Sequence, residues 1–162
     1  MAKFNSWYIG GIAHELGHAH GLDHDAGGAG EEHFGTSLMG AGNLTYRQDV
    51  WGGGKPALLS RVSALQLASH PLFTGSDRGR WEDIGAGLED VTFSASRRTL
   101  RIKGQLGGKV APDAVVASLW PASEKYNHAA LTYPIVVSDG KFLLTLADLH
   151  PEACKLQLVG FG

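Results

Sequence analysis

The stretch His14-Glu15-Leu16-Gly17-His18-Ala19-His20-Gly21-Leu22-Asp23-His24-Asp25 constrains this chain more than any other. By spacing it reads H-E-x-x-H-x-x-G-x-x-H. Residues four apart share one face of a helix, so His14 and His18 point the same way. Two imidazoles one turn apart suit two corners of a zinc tetrahedron. Glu15 sits beside the first of them, where a carboxylate can take a proton from a water held at the metal. Gly21 lets the backbone turn left-handed, which a Cβ resists. The helix ends there, and His24 returns as a third ligand. Three histidines leave a fourth position open, the mark of a catalytic rather than a structural zinc site. With 8 His and 23 Gly in 162 residues, five such fixed positions match by accident at about 10⁻⁴ over the chain. A helix merely rich in surface histidine does not explain Glu15 and Gly21 at those offsets.

With a methionine following in Thr36-Ser37-Leu38-Met39-Gly40, the motif resembles the metzincin clan of zinc endopeptidases. The resemblance implies that His14, His18 and His24 bind Zn2+ and that Glu15 is general base and acid. It also implies that Met39 is the Met-turn residue beneath the imidazoles. Asp25 after the third histidine is similar to the adamalysin branch, in which it would reach the turn around Met39 and accept from backbone N–H groups there. The cysteine expected near the Met-turn of that branch is absent, and Ala41 stands where the astacin tyrosine would be. The likeness therefore reaches the clan and not a subfamily, over residues 13 to about 42.

The resemblance further implies a protein or peptide substrate, and an extracellular or cell-surface location for the intact protein. In metzincins a sheet and a long helix precede the zinc helix, whereas about a dozen residues precede His14 here. Either this chain is the C-terminal part of a catalytic domain, or a partner chain completes the cleft, or the zinc helix packs on the rest of the chain instead. A non-catalytic, zinc-carrying binding or adhesion module is the alternative function.

Composition excludes several classes. A net charge of −2 gives no electrostatic case for nucleic acid. No apolar run approaches the roughly 20 residues of a membrane span, and the N-terminus lacks the apolar region of a signal peptide. One cysteine, Cys154, allows no internal disulfide.

Along the chain, Asn5 reads as an N-cap with Phe4 and Ile9 stapled around it. Ile9, Ile12, Ala13 and Leu16 read as the core-facing stripe, opposite Gly11, His14 and His18. Gly10, Gly11 and Gly17 weaken the helix and admit close approach by another backbone. His20, rotated about 200° from His18, falls off the zinc face. Residues 25–35 read as a loop with solvated glutamates, and His33 as solvated or beside the site. Pro56 reads as a first helical turn, with Leu58, Val62, Leu65 and Ala68 as its stripe and His70-Pro71 as its stop. His70 reads as a helix-end residue rather than a ligand, and His128 and His150 as isolated.

From residue 88 the pattern has period 2. Leu100, Ile102 and Leu106 alternate with polar residues, 114–120 is an apolar run, and Leu156 and Leu158 alternate with Lys155 and Gln157. Tyr133–Val137 and Phe142–Leu146 flank Ser138-Asp139-Gly140-Lys141 as a hairpin. The expected fold class is α+β: a truncated metzincin-like subdomain (residues 1–75, with zinc helix, Met-turn and closing helix), a linker (76–87), and a small all-β, sandwich-like domain (88–162).

Overall fold

The computed structural model describes residues 4, 8–47, 51–52, 54–79, 82–83, 85–112, 114–121, 130–149 and 154–161. It is a mixed α and β structure. Helix α1 (Gly10–Ala19) comes first, then a single 3-10 turn at Glu31–His33 and strand β1 (Thr36–Ser37). A tight turn over Leu38–Gly42 leads into a short helical turn α2 (Asn43–Thr45). Strand β2 (Ala57–Leu58), helix α3 (Arg61–Ala68) and the four-residue α4 (Pro71–Thr74) complete this part. The remainder is β: β3 (Ala86–Ser96), β4 (Thr99–Gly108), β5 (Ala114–Pro121), β6 (Leu131–Ile135), β7 (Val137–Ser138), β8 (Lys141–Leu146) and β9 (Cys154–Phe161).

β1 and β2 pair in parallel. The later strands form two antiparallel sheets, ordered β3-β4-β8-β7 and β6-β5-β9. One face of each meets the other in a shared core, where Ile102 and Phe142 of the first sheet pack with Val115, Ala117 and Ile135 of the second. The alternation that puts every second side chain inward is what the sequence pattern carries. The hairpin expected around Ser138–Lys141 is confined to β7–β8. Asp139 and Gly140 both take positive φ, at 52° and 71°, as a two-residue turn matched to strand twist requires. The run from Tyr133 to Val137 is not one strand: β6 belongs to one sheet and β7 to the other, and the chain crosses at Val136.

The long strand β3 begins inside the stretch expected to be a linker. Its register with β4 shifts between Glu89 and Thr92, and Asp90 takes φ 51° there. This bulge interrupts the alternation of the strand near its start.

Two helix readings need correction. The buried side of α1 holds Gly10 and His14, whereas Ile12 is 67% and Leu16 56% exposed, and Ile9 also faces outward. The apolar stripe thus faces away from the described structure. Phe4 lies against Tyr8, ring centroids 5.2 Å apart, and Asn5 lies outside the described residues, as do His128 and His150. Pro56 does not open a helix. Its carbonyl accepts from Thr36 N–H at 2.8 Å in the β1–β2 pair. Helix α3 begins only after Ser60, whose hydroxyl accepts from Ser63 N–H at 3.0 Å, a hydroxyl N-cap. His70 caps α4, its Nδ1 accepting from Leu72 N–H at 3.1 Å.

The glycines of α1 divide by what surrounds them. A Cβ on Gly10 would strike the Asn43 carbonyl oxygen, and one on Gly17 the Met39 sulfur, whereas one on Gly11 would meet nothing within 4 Å. Close approach is therefore real at Gly10 and Gly17 and absent at Gly11. No described helix is long and apolar enough to cross a membrane.

Candidate metal centre

Helix α1 ends as its glycine dictates. Gly21 takes φ 82°, its N–H donates to His18 O at 2.8 Å, and Leu22 N–H reaches back to Gly17 O at 3.0 Å. These two bonds form the Schellman ending, which satisfies carbonyls that the last turn orphans. The buried Leu22 closes over Gly17. The same turn orients an imidazole, because Leu22 O accepts from His18 Nδ1 at 2.8 Å. His14 Nδ1 donates likewise to Leu38 O at 2.7 Å. A carbonyl only accepts, so both Nδ1 atoms carry a proton, and Nε2 is the nitrogen through which each neutral ring could bind a metal.

The Nε2 atoms of His14, His18 and His24 form a near-equilateral triangle. The sides are 3.0 Å between His14 and His18 and 3.1 Å from each of them to His24. Among the described residues this is the group of side chains able to hold a metal ion. Three imidazole nitrogens on one tetrahedral zinc would lie about 3.3 Å apart, so the triangle has the size a single ion takes. Ligand N–H groups held by carbonyls are the usual support of such sites. Glu15 is exposed on α1 beside His14. His20 stays out of the triangle: its ring lies edge-on to His70 at 5.3 Å and near Phe73 at 5.7 Å. His33 is exposed on its 3-10 turn.

Met39 is wholly buried and packs its thioether against Gly17, on the helix that carries His14 and His18. Its carbonyl accepts from Asp25 N–H at 3.4 Å. The Leu38–Gly42 turn thus supports the centre three ways: through Leu38 O, Met39 O and the Met39 side chain.

Asp25 is buried, and it does not bind amides of that turn as expected. Its Oδ1 accepts from Gly27 N–H at 2.8 Å. Its Oδ2 accepts from the hydroxyls of Ser60 at 2.9 Å and Ser63 at 2.7 Å. Both serines are fully buried. The carboxylate thereby ties the segment after His24 to the start of α3. Glu31 is likewise no solvated charge, because its carboxylate accepts from Gly28 N–H and from Arg61 N–H. Ser60 and Ser63 escaped the sequence reading. A Ser-x-x-Ser at a helix start was the available signal, but their partner is 35 and 38 residues away.

The segment from His24 to Gly27 also lies along the β-half. Asp25 bridges Ala130 in parallel, Ala26 N–H donates to Ala130 O at 2.8 Å, and Thr132 N–H donates to Gly27 O at 3.3 Å.

No family model matches the chain, and no curated protein sequence matches it. Solved structures do. Wild-type OgpA from Akkermansia muciniphila, in two crystal forms, superposes with TM-scores of 0.72 and 0.71 at 22% identity over 97% of this chain. Catalytically inactive OgpA in complex with an O-glycopeptide substrate, glycodrosocin, superposes with a TM-score of 0.70 at 20% identity over 96% of it. The chain spans about half the length of these proteins, 48–49%. At this identity the likeness is one of fold: nearly all of this chain is built like about half of OgpA.

Proposed function

We propose that this chain carries the zinc centre of a metalloendopeptidase of metzincin type, and that it is the C-terminal part of the catalytic unit. The observation that carries this is the triangle of Nε2 atoms, its His14 and His18 corners oriented through Nδ1 by backbone carbonyls, with a glutamate next to the first ligand. His14, His18 and His24 would hold the zinc. When bound, zinc lowers the pKa of a coordinated water toward about 7 and polarises a scissile carbonyl. Glu15 then acts as general base, taking the proton from the attacking water, and as general acid, passing it to the leaving amine nitrogen. Its exposure on α1 suits a group that must meet substrate. Met39 takes the place of the Met-turn residue.

In this reading residues 1–75 form the metzincin-like subdomain and a linker follows from 76, which ends where β3 begins at Ala86 and opens a β-sandwich-like domain. The outward face of α1, with Tyr8, Ile9, Ile12 and Leu16 exposed, would be covered by the other part of the catalytic unit, from the same protein or a partner chain. The substrate is a peptide, and the fold shared with OgpA makes an O-glycosylated peptide the first to try. By its resemblance the intact protein works outside the cell or on its surface.

The test is cleavage of plain and O-glycosylated peptide libraries by the intact protein that contains this chain, with and without a chelator. Chelator-sensitive cleavage supports the proposal. A protein that binds zinc yet cleaves neither library favours the non-catalytic module instead.

A further inference from the structure

We infer that the open edge of β6 positions the third metal ligand, so that the β-half is part of the metal centre. This rests on the reading of the three histidines as a metal site and goes beyond it. His14 and His18 ride on one rigid helix, one turn apart. His24 sits on no helix, and its ring can hold station only if the backbone on either side is fixed. Asp25 is held by the Met39 carbonyl and by Ser60 and Ser63, and the β-half holds the residues on either side of it. His24 O accepts from Ala130 N–H at 3.5 Å, Ala26 N–H donates to Ala130 O at 2.8 Å and Thr132 N–H donates to Gly27 O at 3.3 Å. Residues 24–27 thus lie parallel to residues 130–132, bridged at Asp25 and Ala130, along the open edge at the start of β6.

The sequence of β6 suits that role. Alternate residues of a strand direct their N–H groups to the same side. Ala130 and Thr132 direct theirs away from β5, and Pro134, next in that series and opposite Val116, has no N–H to direct. Proline belongs at such an edge, where no ladder bond is lost. The edge of β6 therefore offers donors only where the ligand segment lies. A proline at residue 132 would remove one of those donors and leave the β5–β6 ladder intact. The Thr132 side chain can be tested apart from its amide, since its buried hydroxyl has no hydrogen-bond partner among the described residues.

The experiment is a zinc titration of the metal-free protein against a competing chelator, in the parent, Thr132→Pro and Thr132→Val, each with and without His24→Ala. Thr132→Pro is expected to weaken zinc binding about five-fold, the worth of one backbone hydrogen bond. Thr132→Val, which keeps the amide, should leave binding unchanged. With His24→Ala present, Thr132→Pro should change nothing further, because the ligand it positions is gone. Parent-like binding by Thr132→Pro, or an equal loss in the His24→Ala background, overturns the inference. If Thr132→Pro fails to fold, amide exchange in the parent decides. Positioning is reciprocal, so zinc should slow exchange at Ala26, Ala130 and Thr132 but not at Ile102, and unchanged rates at those three overturn it. A parent that takes up no zinc instead sinks the metal reading on which this one rests.

Discussion

The Oδ2 of Asp25 accepts a hydrogen bond from Ser63 Oγ at 2.7 Å, joining residues 38 positions apart in a fully buried contact. With Ser60 on the same oxygen, the residue after His24 is anchored to the first turn of α3. A hydrogen bond to a charged group is worth about 1.5–3 kcal/mol, and a buried carboxylate that loses its donors costs more. Asp25→Asn keeps the shape but replaces one acceptor oxygen with a donor. Thermal unfolding is expected to fall by roughly 3–12 °C, with zinc retention falling alongside. A variant that melts and binds zinc like the parent would show that the anchor contributes nothing.

Gly10 and Gly11 are neighbours in α1 with opposite surroundings. Gly11→Ala adds a methyl group to open space and should stabilise the protein by about 1 kcal/mol through helix propensity. Gly10→Ala gains the same propensity but drives its Cβ into the Asn43 carbonyl, and backbone cannot swing aside as a flexible side chain can. Overpacking costs about 1–3 kcal/mol, so the net effect should be a loss. Paired thermal melts would check this, and equal shifts in the two variants would mean that α2 does not press on α1.

The three histidines of the triangle are separable from the fourth nearby histidine. One zinc per chain is expected, lost in His14→Ala or His18→Ala and weakened in His24→Ala. His20→Ala should retain it, since that ring lies edge-on to His70 and tilted to Phe73, outside the triangle. Metal analysis of the four purified variants tests this. Loss of zinc in His20→Ala with retention in His24→Ala would contradict the site.

What the sequence discloses here follows the range of the interactions. The His14–His18 spacing and the left-handed Gly21 are set within one helix and its end, and they are legible from the spacing of a dozen residues. The alternation of Leu100, Ile102 and Leu106 is equally local. Which face of α1 is buried is not local: Ile12 and Leu16 look like a core stripe until Gly10 is seen against Asn43 and His14 on the inner side. The partners of Asp25 lie at the start of a helix that the sequence pattern places at Pro56, five residues before it begins. The alternation of strand β3 is interrupted near its start by the bulge at Asp90. The pairing of residues 24–27 with β6 joins parts of the chain over a hundred residues apart, and no local pattern encodes it.

The claim that this centre cuts peptides turns on Glu15, and the most direct measurement is zinc content together with peptide cleavage for Glu15→Ala in the intact protein containing this chain. Removing a general base and acid costs about 10²–10⁴-fold in rate. Glu15 is not among the three imidazoles that would hold the metal, so zinc content is expected to stay at one per chain. Cleavage of any peptide the parent cuts should fall at least 100-fold. Turnover equal to the parent's in a zinc-loaded Glu15→Ala protein would contradict the mechanism.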